Sequence, residues 1–244
     1  MRKLRIGVAF LSALGIWLTG SHPLARSANA AGFEGADAAA LREMLEGTAG
    51  RRETWNTAPD LILVAPVLNY NAGGVASGYA AAKDALSDQE IGLLALDLTE
   101  AVQDLTGGAF TSFRSISVET VAAGDTVSVI RPGAIVVARY RGLRATTGNI
   151  GYGGRSTRNG TIRSAAVMLD ADFDRQSDQR FLLRTHELGH ALGYHHVESR
   201  PSVMNPRVGS GITEFDRSAI RYAAVQVAAR EIARPFTPLH AGLF

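Results

Sequence analysis

Four of the six histidines in this 244-residue chain fall within one short stretch, HELGHALGYHH at 186–196, and no other stretch restricts the fold as tightly. His186 and His190 are i and i+4. On a helix their rings leave one face about 6 Å apart along the axis, close enough for both to reach one zinc ion at about 2.0–2.1 Å. Gly193 ends such a helix, because glycine enters the left-handed region at no steric cost. The chain then turns back, and His196 can supply a third nitrogen, with His195 beside it as the alternative. Three protein ligands leave a fourth position to water, the arrangement of a catalytic rather than a structural zinc. Glu187 lies one step round the helix, beside the ion and not on it, where a carboxylate can take a proton from water. A histidine pair at i, i+4 is by itself common decoration. Five fixed positions (His186, Glu187, His190, Gly193, His196) coincide by chance in at most on the order of one chain in ten thousand. The chain has no cysteine, so a metal here must be held by His, Asp or Glu. A disulfide scaffold, a cysteine zinc finger, an iron–sulfur cluster and a thiol nucleophile are all excluded.

The pattern HExxHxxGxxH is followed by Ser202-Val203-Met204-Asn205-Pro206, with Met204 eight residues past His196. Together they resemble the metzincin zinc endopeptidases, and the methionine turn resembles that of the matrixins within that clan. The stretch Ile212–Tyr222 (ITEFDRSAIRY) is similar to the start of the matrixin C-terminal helix. The resemblance implies one catalytic Zn2+ on His186, His190 and His196, Glu187 as general base, and Met204 as an apolar floor beneath the ion. It implies a metzincin-type catalytic domain over residues 59–234, with a twisted, mostly parallel sheet of about five strands and three main helices. It also implies that an extended peptide pairs with an edge strand, here matched by Gly148, Asn149, Ile150, Gly151, Tyr152 and Gly153. For those glycines a flexible hairpin is the equally weighted alternative.

The chain departs from the clan in three places. Without cysteine, a matrixin-type cysteine switch is impossible, and residues 31–58 are short for a prodomain. Asn205-Pro206 stands where astacins and serralysins carry a tyrosine near the metal, so that role is not transferred. The acidic run Asp170, Asp172, Asp174, Asp178 begins like a calcium loop, but Arg175 occupies its glycine position and Phe181 its terminal carboxylate position. Calcium is therefore not expected there; helix capping and solvated charge explain the run better.

The N-terminus reads MRKLR, then an apolar run from Ile6 to Thr19, then small residues ending Ala28-Asn29-Ala30. This is the layout of a secretory signal peptide over residues 1–30, and the run is too short and too interrupted for a spanning helix. The expected location is secreted or periplasmic, with no stable membrane anchor after cleavage. The leader holds four basic residues and no acid, which leaves 21 basic against 23 acidic residues in the remainder. No basic stripe with interleaved aromatics survives, so nucleic acid is not an expected partner and a peptide or protein substrate is.

Beyond the leader, residues 31–58 read as an N-terminal helix (36–46) and a linker, and residues 235–244 as a tail. Strand-like runs lie at 61–68, 111–120, 126–130, 134–140 and 163–169. Ser87-Asp88-Gln89-Glu90 is a capping box that opens a helix over about 88–106, closed by Gly107-Gly108. Further helices are expected at about 177–192 and 213–232. One sheet covered by helices makes the fold class α+β, α/β-like. Three functions fit: a secreted zinc endopeptidase, a binding module that keeps zinc for stability, or a zinc hydrolase acting on another amide such as a cell-wall crosslink. The presence of Glu187 favours catalysis.

Overall fold

The run Ala134–Arg141 (AIVVARYR) is apolar at nearly every position, as a strand covered on both faces must be, and it forms the middle of the sheet. The computed structural model describes residues 33, 35–207 and 209–232. The leader at 1–30 and the tail at 235–244 lie outside them. In chain order the elements are α1 (Ala36–Glu46), a 3-10 turn (Gly47–Ala49), β1 (Asp60–Val64), β2 (Pro66–Asn69), α2 (Gly74–Ser77), β3 (Tyr79–Ala85) and α3 (Asp88–Thr106). There follow β4 (Ile116–Glu119), β5 (Thr126–Val127), β6 (Ala134–Arg141), α4 (Leu143–Thr147), β7 (Gly151–Arg158), β8 (Thr161–Asp170), α5 (Ala171–Gln176), α6 (Arg180–Leu192) and α7 (Glu214–Ile232). The class is α+β. No helix of the described residues is long and apolar enough to cross a membrane.

The sheet corrects the expectation of about five strands, mostly parallel. It has eight, and it is mixed: β1–β4, β1–β6, β2–β6 and β6–β8 pair parallel, whereas β2–β3, β3–β5 and β7–β8 pair antiparallel. Part of the excess is a break. The expected strand at 61–68 is interrupted at Ala65, yet both halves run parallel to β6, with Leu61 opposite Ile135 and Leu68 opposite Tyr140. Across the middle the order is thus β4, β1/β2, β6, β8, β7. The genuine addition is β3, whose alanine-rich YAAAKDA carries little strand signal; the two-residue β5 is what forms of the run expected at 126–130, and β7 contains part of the glycine-rich stretch weighed as an edge strand or a hairpin.

Alternate residues of β6 serve opposite faces. Val136, Ala138 and Tyr140 join Leu68, Tyr79, Val127 and Leu143 in a core on the β3 side. On the other face, Arg139 meets the helices. Asp174 of α5 accepts from Arg139 Nε at 2.7 Å and from Arg184 Nε and Nη2 at 2.7 Å each. Arg139 also donates to Glu90 of α3, and Arg184 donates to Asp97 at 2.6 Å. A buried group of ion pairs therefore fixes α3, α5 and α6 to the sheet.

Glu90 has a second role. Its carboxylate accepts from the Ser87 N–H at 2.8 Å, and its own N–H donates to Ser87 Oγ, which completes the expected capping box. Burial alone would raise the Glu90 pKa. The Ser87 N–H and the Arg139 guanidinium outweigh it and lower the group from 4.5 to about 2. A folded value below the unfolded one means a stabilisation that is complete above pH 4.5 and is lost as pH falls toward 2. Denaturant unfolding of wild type and Glu90→Gln should therefore differ at pH 6 and converge near pH 2; a difference independent of pH would contradict this.

Residues 51–55 lie against the sheet. Thr54 N donates to Gly160 O, Ile162 N donates to Thr54 O, and Trp55 Nε1 reaches Ala191 O at the end of α6. The stretch expected to be a linker is thus bonded to β8 and α6.

Candidate metal centre

Helix α6 presents His186 and His190 on one face, and Gly193 stops it with φ 113°. A β-carbon at Gly193 would also overlap the Glu53 carbonyl, so both conformation and space require glycine there. The Nδ1 atom of His186 lies 2.8 Å from the Val203 carbonyl, and that of His190 lies 2.9 Å from the Tyr194 carbonyl. A carbonyl oxygen only accepts, so each ring carries its proton on Nδ1 and turns the Nε2 lone pair away from the backbone. His196 comes back from the turn to face them. Its Nε2 stands 3.1 Å from His190 Nε2, and one nitrogen from each of the three rings falls within 4.8 Å of the others.

These distances suit a metal. Four ligands at 2.0–2.1 Å in a tetrahedron stand about 3.3 Å apart. Burial depresses the His186 pKa to about 4, against the pull of the Val203 carbonyl. Burial, then repulsion from the other two rings, holds His190 well below 6.5, and burial lowers His196 as well. All three are neutral near pH 7, the form that binds a metal. Because His190 Nε2 can only accept, its short approach to His196 is met either by a proton on His196 Nε2 or by a cation shared between the two rings.

Glu187 is buried beside this group, and burial raises its pKa to about 8 against the opposing hydrogen bond from the Gly153 N–H. That contact depends on two glycines. A β-carbon at Gly151 would stand 2.5 Å from Glu187 Oε1 and 2.8 Å from Leu183, and one at Gly153 would overlap the Glu187 backbone. Strand β7 therefore lies flat on α6. The stretch Gly148–Gly153 is divided: Gly148 closes α4, Asn149 donates to the Tyr152 hydroxyl at 2.7 Å, the Ile150 carbonyl accepts from Asp170 N, and Gly151, Tyr152 and Gly153 open β7. Among the described residues β7 pairs only with β8, so its other edge is open. From Gly151 to Arg158 the chain is a strand that pairs antiparallel with β8 as one hairpin, with a register shift between Ser156 and Thr157.

Met204 is fully buried against α6; a β-carbon at Gly189 would lie 2.5 Å from its Sδ. The turn that carries Met204 is held by Asp216 of α7, which accepts from Val203 N at 2.9 Å and from the Ser202 and Thr213 hydroxyls. Since the Val203 carbonyl orients His186, Asp216 supports the His186 ring through one residue. In the sequence Asp216 stands three residues after Thr213, the spacing of a helix cap, and nothing else marks it.

His195 does not join the group. Its Nε2 lies 2.8 Å from Arg155 Nη2, and its N–H donates to the Met44 carbonyl. An arginine cannot accept, so His195 Nε2 is the acceptor and its lone pair is committed. Arg155 and its partner Glu53 carry no motif; they are more than a hundred residues apart, and only the fold brings them together. Of the acidic run, Asp170 caps α5 by accepting from Phe173 N, Asp174 sits between the two arginines, and Asp172 and Asp178 are exposed. No known protein-family profile and no curated protein sequence matches the chain.

Proposed function

We propose that the chain is a secreted or periplasmic zinc endopeptidase of the metzincin type, with His186, His190 and His196 holding the ion and Glu187 as general base. The observation that carries this reading is the convergence of three neutral imidazoles beside a buried carboxyl group, next to a strand that pairs on one side only among the described residues. A zinc ion held there supplies Lewis-acid polarisation of a scissile carbonyl and acidifies a water. With a dication beside it Glu187 would be ionised despite its burial; the carboxylate then takes the proton from the attacking water and returns it to the departing amine nitrogen, so that one group serves as base and then as acid. The open edge of β7 offers backbone N–H and C=O groups that hold a peptide extended across the site, which suits a polypeptide better than an isolated amide. Met204, buried against Gly189 of α6, would form the apolar floor of the site in this reading.

The test is cleavage of a peptide library by the chain loaded with zinc. Internal cleavage that stops on chelation and returns with zinc is the expected result. A chain that takes up one equivalent of zinc and leaves every peptide intact would overturn the reading in favour of a zinc-stabilised binding module.

A further inference from the structure

We propose that Arg155, anchored by Glu53, is a positioning residue that sets the metal affinity of the site by fixing where His196 is presented; this rests on the zinc reading above. Arg155 is on β7, its side chain only 10% exposed, and each face of its guanidinium fork is engaged. Nε donates to Glu53 Oε2 at 2.7 Å, Nη1 to the His190 carbonyl at 2.8 Å, and Nη2 to His195 Nε2 at 2.8 Å. Glu53 is held in turn by the Thr157 hydroxyl at 2.9 Å. One planar cation therefore grips the last turn of α6 at one metal-facing residue and the chain immediately before another.

The neighbours of His196 show why this grip matters. On one side, His195 is fixed by Arg155 and, through its N–H, by the Met44 carbonyl; its ring also lies against Gly47, where a β-carbon would overlap it. On the other, Val197 N donates to the Met204 carbonyl at 2.9 Å. Among the described residues His196 makes no ring hydrogen bond to a backbone carbonyl of the kind that orients His186 and His190, so its direction is inherited from both neighbours. Residues 44–55, which come before the sheet, thereby become part of what shapes the third corner of the site. Outer partners that orient metal ligands are worth about 10–100-fold in affinity.

The experiment measures zinc affinity of the full chain by competition with a chelator, and the absorption bands of the cobalt(II) form, for wild type, Arg155→Ala, Arg155→Lys, Glu53→Gln and Val129→Ala. Val129 is buried in the core on the β3 side and serves as a destabilised control. Arg155→Ala should lose about 10–100-fold in zinc affinity and change the cobalt bands. Arg155→Lys should recover only part, since an ammonium cannot reproduce the fork. Glu53→Gln should move affinity in the same direction by less, and it decides the matter if Arg155→Ala does not fold. Affinity within twofold of wild type for Arg155→Ala or, failing its folding, for Glu53→Gln overturns the proposal, as does an equal loss in Val129→Ala. If wild type takes up no zinc, the zinc reading falls and this inference falls with it; if wild type binds and the variants match it, only the inference falls.

Discussion

Glu187→Gln is expected to lower peptide hydrolysis by about 10²–10⁴-fold, the usual contribution of a general base, while zinc content and folding stay at the wild-type level. The substitution keeps the shape of the side chain and its acceptor oxygen, so the hydrogen bond from the Gly153 N–H is retained. It removes only the ability to take up a proton. Glu187 is not among the three histidines of the group, so replacing its carboxyl by an amide leaves the imidazole nitrogens where they are. Measuring kcat/KM on a peptide that wild type cuts, with zinc per chain and thermal unfolding alongside, separates the two effects. A variant with one zinc and near-wild-type turnover would remove Glu187 from the chemistry.

Asp174→Ala should destabilise the fold by about 3–5 kcal/mol, the cost of leaving buried charges without their partner. Asp174 has no exposed surface and accepts from both Arg139 and Arg184, whose side chains are 2% exposed. Without it, two guanidinium groups keep only Glu90 and Asp97 at the rim of the same network. For a chain of this size, a change of that magnitude lowers Tm by about 6–20 °C. Urea unfolding with an unchanged m-value is the appropriate check, because an altered m would report a change in compactness instead. Asp174→Asn keeps one acceptor oxygen and should fall between. A loss under about 1 kcal/mol, the range of an exposed pair, would show the network to be marginal. Arg184 stands two residues before His186 on α6, so the same network anchors the part of α6 that carries the candidate metal-binding histidines.

The parts of this fold that were legible in the sequence are those whose signals are local. The capping box at Ser87 and the glycines after Thr106 bound α3, α1 spans Ala36–Glu46 as expected, and the spacing of His186, His190 and Gly193 marks the end of α6. The apolar run of β6 was equally plain. The expected start of α6 at about 177 was early, because Asp170 caps a separate short helix, α5, and α6 begins at Arg180. What was hidden depends on contact. Glycines have little strand propensity, so the sequence leaves the run in β7 open between an edge strand and a flexible hairpin; Gly151 and Gly153 are there because α6 passes too close for a β-carbon. Ala65 breaks a strand that hydrophobicity alone reads as continuous. Arg155 and Glu53 meet only because residues 51–55 pack along β8 and α6, and no spacing in the chain encodes that. The choice between His195 and His196 was open for the same reason: the arginine that claims His195 comes from another strand.

The most direct test is a crystal structure of the full chain loaded with zinc. One ion should be bound by Nε2 of His186, His190 and His196 at about 2.0–2.1 Å, with Glu187 close by and unligated and His195 still bonded to Arg155. An ion held by His195, or by fewer than three of these imidazoles, would contradict it.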